Sequence, residues 1–433
     1  MTESGGTPPA WQLLVAGAQL VWTGERLLEG ADLLCERAIT GVGRDLRAAP
    51  AAERLDASGC IVVPGLVNAH HHLLQTAFRT LPGTRGVRMR QWLATMNAAY
   101  AATGVDTELC AAAAAVGLAE SLLCGVTTVA DHHLTWPPGA DHLGMAVAVA
   151  DAAAGLGARL VFVRGCSGAD PDAAASAVEA LVSELGGRGE DGMLTLAVGP
   201  AGVHSDGQAT FAALREVALR HGLARRTQAN EQVDVEVAAA RHGRRPLELL
   251  AEWGWLEPGV TVAHLCEIGD EEVAAFAASG AGATHAPGCD LPMGWGLAPV
   301  AALLDAGVNV GLGTSGGASN DAGHLLADAR LALQVAPLAG RPLTALETLR
   351  MATAGAVLEP GAAADLAIYD LGSAADAGVA DPLAGLLWAS PGRRPRHVVA
   401  GGRVVVRDGV LQGADERSLA AALRSLLAAR ARI

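Results

Sequence analysis

The strongest constraint on the fold is a repeat between about residues 61 and 335, in which an apolar strand-like segment precedes an Ala- and Leu-rich helical segment. Eight strand candidates follow one another: CIVVPGLVNAH, TTVADHH, RLVFVRG, LTLAVGPAG, ARRTQANE, VTVAHL, AGATHAP and NVGLGTSG. Helical crossovers connect parallel strands, so this alternation predicts a parallel sheet. Eight such units in one chain predict an α/β protein with a (β/α)8 TIM barrel, whose chemistry lies at the C-terminal ends of the strands.

Short alternating strands at both ends of the chain predict a second, smaller domain. LLVAGAQLVW and ADLLCERAITGVG precede the barrel, and LAIYDL and HVVAGGRVVVRDGVL follow it. Such runs bounded by turn residues are typical of β-structure. We therefore expect a β-sandwich domain formed by residues 1–62 and 358–412, a catalytic barrel over 63–357, and a C-terminal helix over 413–433.

Charge and composition exclude several function classes. All 31 basic residues are arginines, so a Schiff-base lysine, a P-loop lysine and a carboxylated-lysine metal bridge are excluded. A net charge of −14 disfavours nucleic-acid binding, which needs a basic face. The start MTESGGTPPAW has no signal-peptide pattern, and no uncharged apolar run reaches 18 residues. We expect a cytoplasmic protein with neither a nucleic acid nor a membrane as partner.

Polar side chains cluster at the ends of the predicted strands. His70 and His72 lie on the same side of an extended segment, a geometry that suits one zinc-like ion. Further polar residues end the other strands: His132, His133, His204, Gln228, Glu231, His264, His285 and Ser315. Because strand ends meet at one face of a barrel, these residues indicate a single site.

Several motifs resemble the amidohydrolase superfamily. They are PGLVNAHHHLLQTAFR, LCGVTTVADHHL, VTVAHL, DLPMGWGLAPV, GTSGGASNDAGHLLADARLAL, LRMAT and EPGAAADLAIYDL. The chain is most similar to the aminohydrolase branch that contains triazine hydrolases and 8-oxoguanine and guanine deaminases. The resemblance implies a distorted barrel with a β-sandwich built from both termini.

The same resemblance implies a metal-assisted, deaminase-like hydrolase that acts on C–N bonds of cyclic amidines. It would remove an amino or similar group from a ring carbon of an N-heterocycle such as a triazine, purine or pterin. We expect this small-molecule substrate and a second copy of the chain, in a homodimer, as partners.

The resemblance also implies a set of site residues, from which this chain departs at two positions. His70, His72 and His264 match metal positions, and Glu231 matches the family's glutamate; Gln228 stands where the family has histidine, and Ser315 where it has aspartate. The implied catalytic residues are Glu231, His264 and Ser315. A neutral amide is a poor substitute for imidazole, so we expect one divalent ion, zinc or iron, that is held weakly or has been lost.

Candidate substrate contacts are Gln75, Trp92, His133 and Trp295, although core packing also explains each of them. Trp outnumbers Phe and Tyr, at 8 against 4 and 2, so flat stacking surfaces are concentrated in Trp. Two other functions stay open. A member without metal would catalyse a lyase, cyclase or isomerase step, and a catalytically silent homologue would only bind a heterocycle.

Overall fold

The computed structural model describes residues 11–189, 191–389 and 392–430. Within these ranges the chain forms eighteen strands: β1 Leu13–Trp22, β2 Leu27–Cys35, β3 Ile39–Gly43, β4 Glu53–Asp56, β5 Cys60–Pro64, β6 Leu66–His72, β7 Val126–His133, β8 Arg159–Cys166, β9 Leu194–Pro200, β10 Ala224–Ala229, β11 Val260–His264, β12 Gly282–His285, β13 Val310–Leu312, β14 Ser315–Gly316, β15 Leu366–Asp370, β16 His397–Ala400, β17 Arg403–Arg407 and β18 Val410–Leu411.

The same residues form fourteen α-helices: α1 Met89–Thr103, α2 Thr107–Leu123, α3 His142–Leu156, α4 Pro171–Leu185, α5 Gln208–His221, α6 Gln232–His242, α7 Pro246–Glu252, α8 Asp270–Ser279, α9 Pro287–Met293, α10 Val300–Asp305, α11 Leu325–Val335, α12 Ala345–Ala352, α13 Pro382–Trp388 and α14 Glu416–Arg430. Short 3-10 helices cover Leu73–Phe78, Gly186–Gly189 and Ala336–Leu338. Aspartate at the N-cap begins several helices, as Asp106 does for α2 by accepting a hydrogen bond from the Leu109 N–H.

The predicted barrel is confirmed. Strands β6 to β13 pair in chain order, each parallel to the next. The eighth barrel strand is broken after β13, and its continuation β14 pairs with β6 and closes the barrel. This break brings Ser315 opposite His71, beside the two histidines of the HxH motif.

The first predicted strand, CIVVPGLVNAH, is two strands in the structure. β5 pairs with β1 and β15 in the small sheet, whereas β6 begins the barrel. Gly65 lies between them and donates its N–H to the Asp365 carbonyl, 2.9 Å away. A Cβ at Gly65 would lie 2.3 Å from the Thr127 hydroxyl oxygen, so only glycine permits this close crossing from one sheet to the other.

The small domain is built from both ends of the chain, as predicted. β1 to β5 and β15 to β18 form one hydrogen-bonded sheet, in which β15 joins the C-terminal strands to β5. This sheet has a hydrophobic core of its own, which includes Val15, Leu33 and Ile368. The proposed domain bounds stay a prediction, and their outer ends, residues 1–10 and 431–433, lie outside the described residues.

No single described helix is long and apolar enough to cross a membrane. The pair α1 and α2 meets the length and composition criteria only when its two members are taken together, and the pair is bent by 118°.

Candidate functional site

The carboxyl ends of the barrel strands surround one cavity of about 130 Å³, which has room for a single small molecule. Eight of the ten polar strand-end residues line it: His72, His132, His133, His204, Gln228, Glu231, His264 and Ser315. His70 lies directly behind this lining, in ring contact with His72. His285 is buried at the end of β12 but is not part of the cavity wall.

Three imidazoles of the predicted metal set lie together. The ring centroid of His70 is 4.8 Å from that of His72 and 5.2 Å from that of His264, with near-perpendicular planes in both pairs. All three side chains are buried. The first two project from β6 and the third ends β11, so pairing of β6 through β11 in one barrel brings together residues that are far apart in the chain.

Hydrogen bonds fix which ring nitrogen His72 and His264 present. The Nδ1 of His72 lies 2.7 Å from the His132 carbonyl oxygen, and the Nδ1 of His264 lies 2.8 Å from an Asp290 carboxylate oxygen. A ring that donates its Nδ1–H in this way keeps a lone pair on Nε2. The Nε2 of His70 is buried without a hydrogen-bond partner among the described residues. Imidazoles oriented in this manner fit a divalent ion, which binds Nε2 in place of a proton and would satisfy the unpartnered nitrogen of His70.

The two departures from the family pattern lie in the same wall. The Gln228 amide nitrogen donates to the Ala201 carbonyl oxygen at 3.1 Å, so this side chain is oriented by the neighbouring loop. Ser315 is buried and adopts a left-handed backbone conformation with φ of 56°. Left-handed backbone also occurs at Asn230 and His264, and such strain concentrates at functional sites.

A half-buried arginine that sequence reasoning missed lies close to the imidazoles. Arg226, two residues before Gln228, donates to the Ala69 carbonyl oxygen at 2.6 Å. Burial lowers its pKa to about 10, and its positive charge helps to lower the pKa of His70. A like charge at this point opposes a divalent ion, so it adds to the weakening expected from Gln228 and Ser315.

Glu231 is the acidic residue at the centre of the cavity wall. Its side chain is 2% exposed, and its Oε1 lies 3.8 Å from the Nε2 of His264. Burial raises the pKa of Glu231 above its ordinary value, while the neighbouring His264 acts against that rise. Burial disfavours charge on His264 too, but the carboxylates of Glu231 and Asp290 raise its pKa. Glu231 can therefore take up or release a proton near neutral pH.

The predicted substrate contacts form one side of the cavity. Trp92 and Trp295 meet edge to face with centroids 5.3 Å apart, and Gln75 and His133 also line the cavity. Gln75 accepts a hydrogen bond from the Ala318 N–H at 3.4 Å, and the His133 ring packs on Trp136. Trp136 itself lies outside the lining. All four predicted contacts are thus placed at the cavity, where they also serve packing.

Other residues of the site were missed or given no role. His132 was recognised only as a polar strand end, whereas its ring lies in the imidazole cluster. Asp290 holds His264 from α9, and only the fold brings its segment against β11. The Asp234 carboxylate lies 2.6 Å from the Nδ1 of His204; its position three residues after Glu231, in the first turn of a helix, was the available signal.

Among the described residues, one group of His, Cys, Asp or Glu side chains has all its ligand atoms within 4.8 Å of one another, and it consists of His264, Cys266 and Asp290. Burial raises the pKa of the Cys266 thiol, so it is not a thiolate. The hydrogen bond between Asp290 and His264 is the better explanation of this group.

Comparison with known proteins gives consistent results. The model of the amidohydrolase family matches residues 61–405. The 8-oxoguanine deaminase of Pseudomonas aeruginosa is 33% identical over 88% of this chain and 90% of its own length. A 5-methylthioadenosine/S-adenosylhomocysteine deaminase of Haloarcula marismortui is 32% identical over 93% and 96%, respectively. The crystal structure of atrazine chlorohydrolase from Arthrobacter aurescens complexed with zinc superposes with a TM-score of 0.86, at 34% identity over 96% of this chain and 100% of that one.

Proposed function

The chain belongs to the amidohydrolase family, and we propose that it is a hydrolytic deaminase of a small, uncharged N-heterocycle. A hydrolase acting on C–N bonds agrees with the names of its relatives and with the sequence prediction. The observation that carries the proposal is the buried carboxyl of Glu231, 3.8 Å from the Nε2 of His264, in a cavity that also holds the HxH pair.

His70, His72 and His264 would hold one divalent ion, for which we propose zinc. When bound, the ion would supply an activated water, because coordination lowers the pKa of water toward neutrality. Two observations in this chain support the proposal. Hydrogen bonds at Nδ1 leave the Nε2 lone pairs of His72 and His264 available, and the Nε2 of His70 has no hydrogen-bond partner among the described residues.

Glu231 would deliver a proton to a ring nitrogen next to the carbon that bears the leaving group, and would then assist departure of ammonia. Burial raises the pKa of its carboxyl, so a protonated fraction is available near neutral pH. Ser315 would orient the attacking water through its hydroxyl, since a serine hydroxyl is no base near pH 7. The chain contains no lysine that could take over either task.

The cavity wall argues for an uncharged substrate. Apolar side chains of α1 form one part of the wall, among them Met89, Trp92 and Met96, and Trp295 adds a second flat surface. None of the described lining residues is an arginine, the side chain that usually pairs with phosphate. A free base or a substituted neutral ring is therefore favoured over a nucleotide.

The test uses protein purified without chelator or nickel resin. Its metal content is measured first, and it is then loaded with zinc and incubated with 8-oxoguanine, guanine, isoxanthopterin and melamine. Ammonia release is followed by a coupled assay, and replacement of the amino group on the ring by ultraviolet absorption. We expect ammonia from at least one purine or pterin. A zinc-loaded protein that releases none, but binds one of these rings unchanged, would replace deamination with the silent-homologue function.

A further inference from the structure

A histidine–aspartate ion pair in the cavity wall has no part in the proton transfer proposed for Glu231. His204 lines the cavity shortly after β9, and its Nδ1 lies 2.6 Å from an Asp234 carboxylate oxygen. We propose that this pair determines substrate specificity, with the Nε2–H of His204 donating a hydrogen bond to an exocyclic oxygen of the substrate ring. The inference rests on the proposed function in that the ligand is an uncharged N-heterocycle, and it narrows that class to rings with an oxo group.

The local backbone brings the two side chains together. Asp234 lies in the first turn of α6, where the helix dipole favours a carboxylate. Its Oδ1 accepts the His204 backbone N–H at 3.1 Å and also faces the ring Nδ1. A Cβ at Gly202 would lie 2.7 Å from this oxygen and 2.8 Å from Nδ1, so a larger residue there would push the pair apart. The carboxylate therefore fixes both the main chain and the ring of His204.

The ring of His204 directs its unpaired edge toward the cavity. The Asp234 side chain is fully buried, whereas 12% of the His204 side chain is exposed. Because Nδ1 faces Asp234, the edge that carries Nε2 is the one that can face the cavity lined by His204. Within the described ranges, Nδ1 is the one ring nitrogen of His204 with a hydrogen-bond partner. The Nε2 is therefore available to a bound molecule.

Nearby carboxylates keep the positive charge on this ring. Burial disfavours a charged His204, but Asp234 above all, together with Glu231 and Asp206, raises its pKa above the ordinary value. Arg241 of α6 reaches the backbone carbonyl oxygen of His204, at 3.5 Å. A protonated imidazole donates through both ring nitrogens. Since Asp234 stabilises this form, His204 donates a hydrogen bond through Nε2 and retains its proton.

A fixed N–H donor selects for an acceptor on the substrate ring. An oxo oxygen has two lone pairs to offer, whereas an amino group conjugated with the ring offers N–H donors that would oppose the Nε2–H. Glu231 serves the ring nitrogen beside the leaving group, so the oxo group lies elsewhere on the ring. We therefore expect oxo-purines and oxo-pterins to bind, and a triazine that carries only amino groups, such as melamine, to bind weakly.

The first test measures binding without turnover in the full-length protein. Purine, hypoxanthine and 8-oxopurine have no amino group to lose, and the last two each add one oxo group to the first. By calorimetry, the wild type should bind at least one oxo-purine about 10–100-fold more tightly than purine, as expected for a hydrogen bond from a charged donor. His204→Phe should lose this preference. His221→Phe is the matched control and should keep it, because His221 pairs with Glu179 at 2.7 Å outside the cavity lining.

The second test separates the charge of Asp234 from its structural role. In Asp234→Asn the amide oxygen can still accept the His204 N–H groups, but the negative charge is gone. In the wild type the oxo preference is present below the raised pKa of His204 and is lost as pH rises through it. In Asp234→Asn it should be lost at lower pH, at or below about pH 6.5, the ordinary value for histidine. Both proteins are titrated with the same ligand between about pH 5 and 8, so ionisation of the ligand affects them equally.

Three results would overturn the proposal. They are equal affinity of the wild type for purine and both oxo-purines, a preference that survives His204→Phe, and identical pH curves for the wild type and Asp234→Asn. The first of these results needs no variant to fold. A wild type that prefers oxo-purines but releases no ammonia from any ring would refute the proposed function alone. Ammonia release without the oxo preference would refute the His204 assignment alone.

Discussion

Replacing Glu231 by glutamine removes one titratable carboxyl and keeps the size of the side chain. The side chain is 2% exposed and lies in the cavity wall, so the change acts on the reacting groups rather than on the surface. Substrate affinity should be largely retained, because glutamine still offers an oxygen to the ring and the walls formed by Trp92 and Trp295 are unchanged.

The size of the expected loss in kcat follows from how the other titratable side chains of the described lining are held. The Nδ1 of His264 lies 2.8 Å from an Asp290 carboxylate oxygen. Asp131 is fully buried, accepts the Leu73 N–H at 2.8 Å and faces His133. His204 is held by Asp234 at 2.6 Å. Positioned acid–base catalysis contributes about 10²–10⁴-fold, which at about 1.36 kcal/mol per tenfold amounts to about 3–5 kcal/mol of transition-state stabilisation.

The assay compares kcat and ligand affinity of the wild type, Glu231→Gln and a control, Glu216→Gln, on the best heterocycle of the panel. Glu216 is an exposed carboxyl on α5 that pairs with Arg220 at the surface, so its loss should leave kcat unchanged. The Glu231→Gln variant should also lose the limb of the pH profile that reflects the raised pKa of the carboxyl. If kcat of that variant stays within about threefold of the wild type, instead of falling by about 10²–10⁴-fold, the role of Glu231 is refuted in every mechanism that uses it.

Three further outcomes are expected. Gly165→Ala should lower the free energy of unfolding by about 1–3 kcal/mol, because the new Cβ would lie 2.5 Å from the Cδ2 of Leu134 and 2.6 Å from the His133 carbonyl oxygen. Gly155→Ala, in open space on α3, should instead stabilise the protein by about 0.5–1 kcal/mol. Urea titration of both variants measures these effects, and equal stability of the two variants would refute the close approach at Gly165. The double variant Gln228→His with Ser315→Asp should raise zinc affinity, because it adds an imidazole and a carboxylate. Aspartate tolerates the φ of 56° at position 315. An unchanged zinc dissociation constant would show that these side chains do not reach the ion. Burial disfavours a charged His133 ring, but the Asp131 carboxylate, 3.8 Å from its Nδ1, and Cys110 raise its pKa to about 9. The contribution of this ring to stability is therefore fully present below about pH 6.5 and is lost as pH rises through about 9. The stability difference between wild type and His133→Gln in urea should therefore narrow between about pH 6.5 and 9.5, and a constant difference would contradict the assignment.

Much of the fold could be predicted from local sequence. The eight strand candidates each correspond to a barrel strand, because buried parallel strands need continuous apolar runs that few other structures require. The sequence did not reveal the division of CIVVPGLVNAH at Gly65 or the break between β13 and β14. Both features depend on how closely the backbone approaches another segment, as Gly65 approaches Thr127. That distance cannot be predicted from a local sequence pattern.

At the site, the sequence determined which types of reactive side chain are present. The tertiary structure decided which of these side chains lie close together. The HxH spacing, the absence of lysine, and the substitutions Gln228 and Ser315 are properties of the chain alone, since residue type and strand periodicity fix them. The cytoplasmic location and the homodimer predicted from the sequence stay predictions. Strand pairing brings Asp290 beside His264 and Arg226 close to the imidazoles. These contacts join residues far apart in the chain, so their physical cause is barrel closure and not any motif.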